Sequence, residues 1–168
     1  MNLREALLEV HSKAQATMIC DWVGEDPQKF AELMKFMMGP VYRLSQRAAY
    51  PISFCIERRP ELIQPFWGKL AGQLEREDAH VAARRNVARL LQFVEIPKRY
   101  RGRIFDACYN LVADPAQPVA VRCFSMSVAA KIAKDSPDLM DELRLVVKEH
   151  PGKVTAGIRS RMRRVLGL

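Results

Sequence analysis

Four arginines, Arg159, Arg161, Arg163 and Arg164, crowd into six residues near the C-terminus. Planar guanidinium groups at this density suit two-pronged recognition of carboxylates or phosphates. Arg159 and Arg163 are four positions apart and share a helix face, whereas Arg161 and Arg164, three apart, point elsewhere. The negative end of a helix dipole favours cations in the last turns and accounts for some of these residues without a ligand. Four exceed what capping requires. Arg85, Arg89 and Lys131 extend the same basic surface if neighbouring helices carry them side by side, so these seven residues form the candidate set for binding a polyanion. The chain as a whole is basic too: 27 Lys and Arg stand against 19 Asp and Glu, a net charge of +8. An excess of that size points to an acidic partner.

Other chemistry has less support. The cysteines, Cys20, Cys55, Cys108 and Cys123, form no CxxC pair and sit in apolar settings, as buried free thiols do. His11, His80 and His150 are far apart and make no HxxxH pair, so no metal site is expected. No GxGxxG, phosphate loop, GxSxG, HExxH or calcium loop occurs, and neither a cofactor nor an enzymatic activity is expected. Asp138, Asp141, Glu142 and Glu149 alternate with Arg144 and Lys148 and read as a solvated helix face. Asp106, near Tyr100 and Tyr109, is the nearest approach to a catalytic acid and reads as a surface charge.

The N-terminus, MNLREALLEV, is charged where a signal peptide needs an apolar run. The longest stretch free of Asp, Glu, Lys and Arg is Ala48 to Ile56, nine residues, against about 20 for a membrane-spanning helix. A cytoplasmic protein with no membrane partner is expected.

The elements that must position these residues are helices. Apolar residues recur at three- and four-residue spacing, as in Leu3, Leu7, Leu8; Phe30, Leu33, Met34, Met37; and Leu139, Leu143, Val146, Val147. Pro27, Pro40, Pro60, Pro115 and Pro137 stand at helix starts, Asp26, Asp114 and Ser136 as N-caps, and Gly24, Gly39 and Gly152 at helix ends. Asp114 with Gln117 spells a capping box. Pro51 and Pro65 fall inside predicted helices and should kink or break them. The punctuation predicts helices at 3–22 (open to a break), 27–38, 41–57, 60–75, 78–95, 98–113, 115–134, 137–149 and 153–166, all within one domain spanning 1–168. Five aromatics on the second helices of the pairs, Tyr42, Tyr50, Phe54, Phe93 and Phe124, mostly occupy apolar positions and read as core.

A repeat organises these helices. VAAR at 81–84 recurs as VAVR at 119–122, and Ile158-Arg159 matches Val121-Arg122. Arg47, Arg84, Arg122 and Arg159 thus hold one place in alternate helices, with spacings of 37, 38 and 37. Arg59-Pro60-Glu61-Leu62 and Ser136-Pro137-Asp138-Leu139 echo each other two periods apart. Helix pairs at such a period are the mark of an α-solenoid, in which each pair buries its apolar face against the next.

With its Val-Arg dipeptide near the start of the second helix, preceded by Asp114 and Pro115 and followed by CFSMSVAAKIA, the chain resembles HEAT and armadillo-type repeat proteins over essentially its whole length. Residues 84–97 and 118–128 are also similar to a group of small bacterial proteins of about this length. The resemblance implies an all-α superhelix of about four and a half helix pairs. In HEAT repeats the recurring arginine commonly pairs with an aspartate of a neighbouring unit, which makes Asp78 and Asp114 the candidate partners and Arg47, Arg84, Arg122 and Arg159 a structural ladder. The second helices of such arrays line the concave face, and here they carry nearly all of the positive excess. Two functions stay open. One is a non-catalytic scaffold that holds an acidic protein segment on the basic concave face. The other is nucleic-acid binding, distantly like the HEAT-type DNA-repair glycosylases, whose aromatic-lined groove has no evident counterpart here.

Overall fold

A computed structural model describes residues 1–151 and 154–168. The side chain of Asn2 accepts the Glu5 N–H and that of Ser12 accepts the Gln15 N–H. Two caps so close together start two helices where one was open to a break, α1 (Leu3–Glu9) and α2 (Lys13–Val23). Gly24 ends α2 at φ +54°, a backbone region that glycine enters without steric penalty, and returns its N–H to the Cys20 carbonyl. Asp26 then accepts the N–H groups of Gln28 and Lys29, and Pro27 opens α3 (Pro27–Met38).

The two internal prolines behave differently. α4 (Tyr42–Arg58) continues through buried Pro51 without a break, although a proline cannot donate the helical hydrogen bond there. Pro65 does interrupt: Pro60–Phe66 is a 3-10 segment, and regular helix resumes as α5 (Trp67–Glu75). α6 (Val81–Leu91), α7 (Lys98–Ala113), α8 (Val119–Ile132), a 3-10 turn at Ala133–Asp135, α9 (Pro137–Glu149) and α10 (Ala156–Leu166) follow. α8 starts four residues later than the sequence predicts. Asp114 caps a turn, accepting the Ala116 N–H and the Gln117 amide, but Pro118 lacks an N–H, disfavours helical backbone in the residue before it, and itself sits as the N-cap of α8 at φ −55° and ψ +144°. The last helix is capped by Thr155, which accepts the Ile158 N–H. The helix end placed at Gly152 and the helix start placed at 153 lie outside the described residues.

No strand occurs among the described residues, and the helices form an all-α solenoid. α3 pairs with α4, α5 with α6 and α7 with α8. α4, α6, α8 and α10 lie side by side as one row, while α5, α7 and α9 form the other. Buried side chains from Leu3 to Leu166 join in one core cluster, each large one contributing about 1.5–3 kcal/mol on removal from water. Phe30, Leu33, Met34 and Met37 of the predicted apolar stripe are fully buried. A polar rivet crosses this core: Asn86 on α6 donates to the carbonyl and hydroxyl of Ser45 on α4, at 3.0 and 3.1 Å, and the Ser45 hydroxyl donates to the Met37 carbonyl.

Candidate binding surface

The arginines at the repeat position point along the array rather than outward. Arg47 donates to the Leu7 carbonyl at 3.0 Å. Arg84, buried, donates to Gln117 Oε1 at 3.2 Å and to the carbonyls of Arg76 and Glu77 just past the end of α5. Arg122, 2% exposed, reaches the Val112 carbonyl through Nε at 3.1 Å and Nη2 at 2.9 Å, and the carbonyls of His150 and Pro151 through its two Nη groups. One guanidinium thereby closes the last turn of α7 and the end of α9, where helices leave carbonyls without partners. Arg159 differs: it is exposed and makes only a 3.4 Å contact to the Val154 carbonyl.

The aspartates expected as partners are occupied elsewhere. Asp78 takes both prongs of Arg76, and Asp114 accepts from Gln117. The hydrogen bond from Gln117 is also the main reason the Asp114 carboxyl sits below the usual range, with Arg122 and Arg84 contributing less. Main-chain carbonyls replace aspartate as the arginine partners here because a helix end supplies several unsatisfied acceptors at once.

The seven candidate residues divide into groups. Lys131 and Arg161 converge on Gln92, the residue after α6, whereas Arg89 meets it only through its main-chain carbonyl and keeps its side chain exposed. Gln92 Nε2 donates to the Arg89 carbonyl at 3.2 Å, and Gln92 Oε1 accepts from Arg161 at 3.0 Å. Lys131 on α8 donates to the carbonyls of Gln92 and Val94. Arg161 also donates to Ser127 Oγ at 2.6 Å and lies over the Phe124 ring, so one α10 side chain spans α8 and α6. Burial lowers the pKa of both Lys131 and Arg161, and the nearby Arg164 charge lowers that of Arg161 further. Arg85 stands apart, half-buried, with its guanidinium 5.6 Å from the Tyr42 ring centre. Arg159 and Arg163 border a shallow hollow with Met162 and Leu168, and Arg164 is exposed. Gln92 escaped the sequence reading because nothing in its neighbours marks it; only the folded α6–α8–α10 row gives it three partners.

Two aromatics expected in the core are exposed, Tyr42 by 49% and Phe93 by 76%. Phe93 lies beyond the end of α6, where helical periodicity no longer decides which way a side chain points, and Tyr42 is the first residue of α4. Tyr50, Phe54 and Phe124 are half-buried. Between α4, the 3-10 segment and the end of α6 lies a groove of about 670 Å³ bordered by Tyr50, Ile63, Arg89, Leu90 and Phe93.

Ion pairs show where charge is compensated. Arg58 meets Asp21, Arg59 Glu25, Arg76 Asp78, Arg101 Glu95, Arg103 Glu75 and Arg144 Asp141. Among the described residues no side chain of α6, α8 or α10 belongs to an ion pair, and these three helices contain no Asp or Glu. The four cysteines are buried, and no group of three or more His, Cys, Asp or Glu among the described residues could hold a metal ion.

The family of HEAT repeat domains matches residues 3–167. The chain is a HEAT repeat protein. No curated protein and no solved structure gives a significant match. HEAT repeats generally serve as protein-interaction scaffolds and are typically non-catalytic. No helix among the described residues of this HEAT repeat protein is long and apolar enough to cross a membrane.

Proposed function

We propose that the α6–α8–α10 row is the binding face of this HEAT repeat protein and that it holds an acidic segment of a protein partner. The supporting observation is the absence of carboxylates from these three helices, while Arg58, Arg59, Arg76, Arg101, Arg103 and Arg144 elsewhere in the chain each pair with a carboxylate. Arg89, Arg159, Arg163 and Arg164 are exposed there and available to a ligand. Lys131 and Arg161 are held by protein acceptors, so they shape the face and add positive potential more than they offer free donors. Surface potential of one sign raises the rate at which an oppositely charged partner docks.

A second reading, nucleic-acid binding, draws support from Tyr42 beside Arg85, an exposed ring next to a cation of the kind on which bases stack. The scaffold role general to the family favours the protein partner. A Glu-rich peptide and a single-stranded oligonucleotide, each titrated at low and high salt, separate the two. The peptide should bind more tightly, weaken as salt rises, and lose affinity with the double variant Arg163→Ser/Arg164→Ser while the melting temperature stays within a degree or so of wild type. Tighter binding of the oligonucleotide would transfer the face to nucleic acid. Binding of neither at low salt would remove the proposal.

A further inference from the structure

We propose that the groove between α4 and α6 is an apolar anchor pocket for that same partner, receiving one large apolar side chain while the partner's acidic flank lies across Arg89 toward α8 and α10. This rests on the acidic-segment reading and adds a second, chemically different determinant to it.

Three observations carry the assignment. The first is the groove's composition and size. Its volume is about 670 Å³, within the range of roughly 300–1,000 Å³ typical of ligand sites. Ile56, Ile63, Leu90 and Val94 line it as buried side chains, and Phe93 stands at its edge with 76% of its surface exposed. An apolar ring that projects into water beside an apolar cleft gains nothing from the fold; a partner side chain seated in the cleft would cover both.

The second is continuity with the basic row. Arg89 lines the groove itself. The wall at Gln92–Val94 is held from outside by Lys131 of α8 and Arg161 of α10. A segment anchored here therefore leaves the groove over a surface with no carboxylate on α6, α8 or α10.

The third is polarity. Glu57 of α4 is exposed on the groove wall and belongs to none of the ion pairs among the described residues, whereas Glu95 is neutralised by Arg101. An acidic flank is repelled on the α4 side and attracted on the other, so charge gives the bound segment one direction.

Two labelled peptides of Asp and Glu test this at low salt by fluorescence anisotropy, one with a central Phe-Leu pair and one with Ser-Ser in its place. Wild type should bind the Phe-Leu peptide about tenfold more tightly, a difference of about 1.4 kcal/mol. The variant Phe93→Ser should abolish that advantage while binding the Ser-Ser peptide as wild type does, and its melting temperature should be unchanged because Phe93 is so exposed. Arg163→Ser/Arg164→Ser should weaken both peptides equally. Equal binding of the two peptides by wild type, or a Phe-Leu advantage that survives Phe93→Ser, overturns the anchor pocket and leaves the acidic-segment reading standing. Binding of neither peptide overturns both. Concentration-dependent self-association of wild type that Phe93→Ser abolishes would assign the groove to a second copy of the chain instead.

Discussion

The two rows of helices treat arginine in opposite ways. On α7 and α9, Arg101, Arg103 and Arg144 meet Glu95, Glu75 and Asp141, and the Arg103–Glu75 pair is two-pronged at 2.6 and 2.7 Å. On α6, α8 and α10, Arg84, Arg85, Arg122 and Arg161 have carbonyls, an amide, a hydroxyl or aromatic rings for neighbours. Neutral acceptors satisfy a guanidinium's hydrogen bonds without cancelling its charge. The second row can thus be rigid and strongly positive together, whereas the first row neutralises much of what it carries.

The most severe way to break this contrast is at Arg122. Replacing it by Ala leaves the buried carbonyl of Val112 and the part-buried carbonyls of His150 and Pro151 without their donors. The expected loss is about 3 kcal/mol in chemical denaturation. Arg122→Lys should recover only part of it, because an ammonium cannot span acceptors on two helix ends. A variant as stable as wild type would show that these bonds contribute little beyond what water supplies.

Arg161 and Arg163 sharpen the contrast within a single helix. Arg161→Ser removes the bonds to Gln92 and Ser127 that tie α10 to α8 and α6, and should destabilise by about 1 kcal/mol. Arg163→Ser, at an exposed position, should change stability by less than about 0.5 kcal/mol. Equal losses in thermal melts would dissolve the distinction between shaping and ligand-facing arginines.

The smallest effect belongs to the first row and depends on pH. Arg103 holds the Glu75 carboxyl below the ordinary carboxylate range, chiefly by its hydrogen bonds. A carboxyl whose pKa is depressed by folding stabilises the native state above its unfolded value of about 4.3, and the contribution disappears as pH falls through the folded value. Both side chains are more than one-third exposed, so solvent screening limits the contribution to a few tenths of a kcal/mol. The melting-temperature gap between wild type and Glu75→Gln should be present at pH 7 and vanish in strong acid. A gap that persists in acid would mean the substitution acts through something other than charge.

Much of this architecture was legible in the sequence because the arginine spacing reports a backbone requirement. Each helix pair leaves carbonyls at its turn, and a guanidinium one turn into the next helix reaches them, so Arg84 and Arg122 recur with the pair. What the arginines bind was not legible: aspartates lay at plausible distances along the chain, but the carbonyls that accept these bonds come from main chain and leave no mark on residue identity. The apolar period runs on past Leu91 and so predicts a core position for Phe93, while the helix ends at Leu91 and the ring turns outward. Pro27 and Pro137 open α3 and α9 and Pro60 a 3-10 segment, yet Pro40 lies two residues before α4 and Pro115 opens only a turn, with α8 beginning after Pro118. The candidate face was legible as charge on alternate helices. Its division into tied and exposed residues depends on Gln92, whose role arises only when three helices meet.

The four buried thiols give this array a built-in record of its own motions. Cys20 and Cys55 lie next to each other across α2 and α4, and Cys108 and Cys123 sit on the paired helices α7 and α8, so the thiols mark two regions of the solenoid. Burial pushes Cys108 up to about 12 and raises Cys55 and Cys123 as well. Since the thiolate is the reactive form, an alkylating reagent meets each sulfur only during a local opening of its layer. In a stack whose layers touch only their neighbours, the modification rates of the two cysteine pairs separate if layers breathe independently and coincide if the array opens as one unit. Adding a ligand to the second row should then slow the Cys123 clock more than the Cys20 clock, which turns a question about binding into one about which layers stop moving.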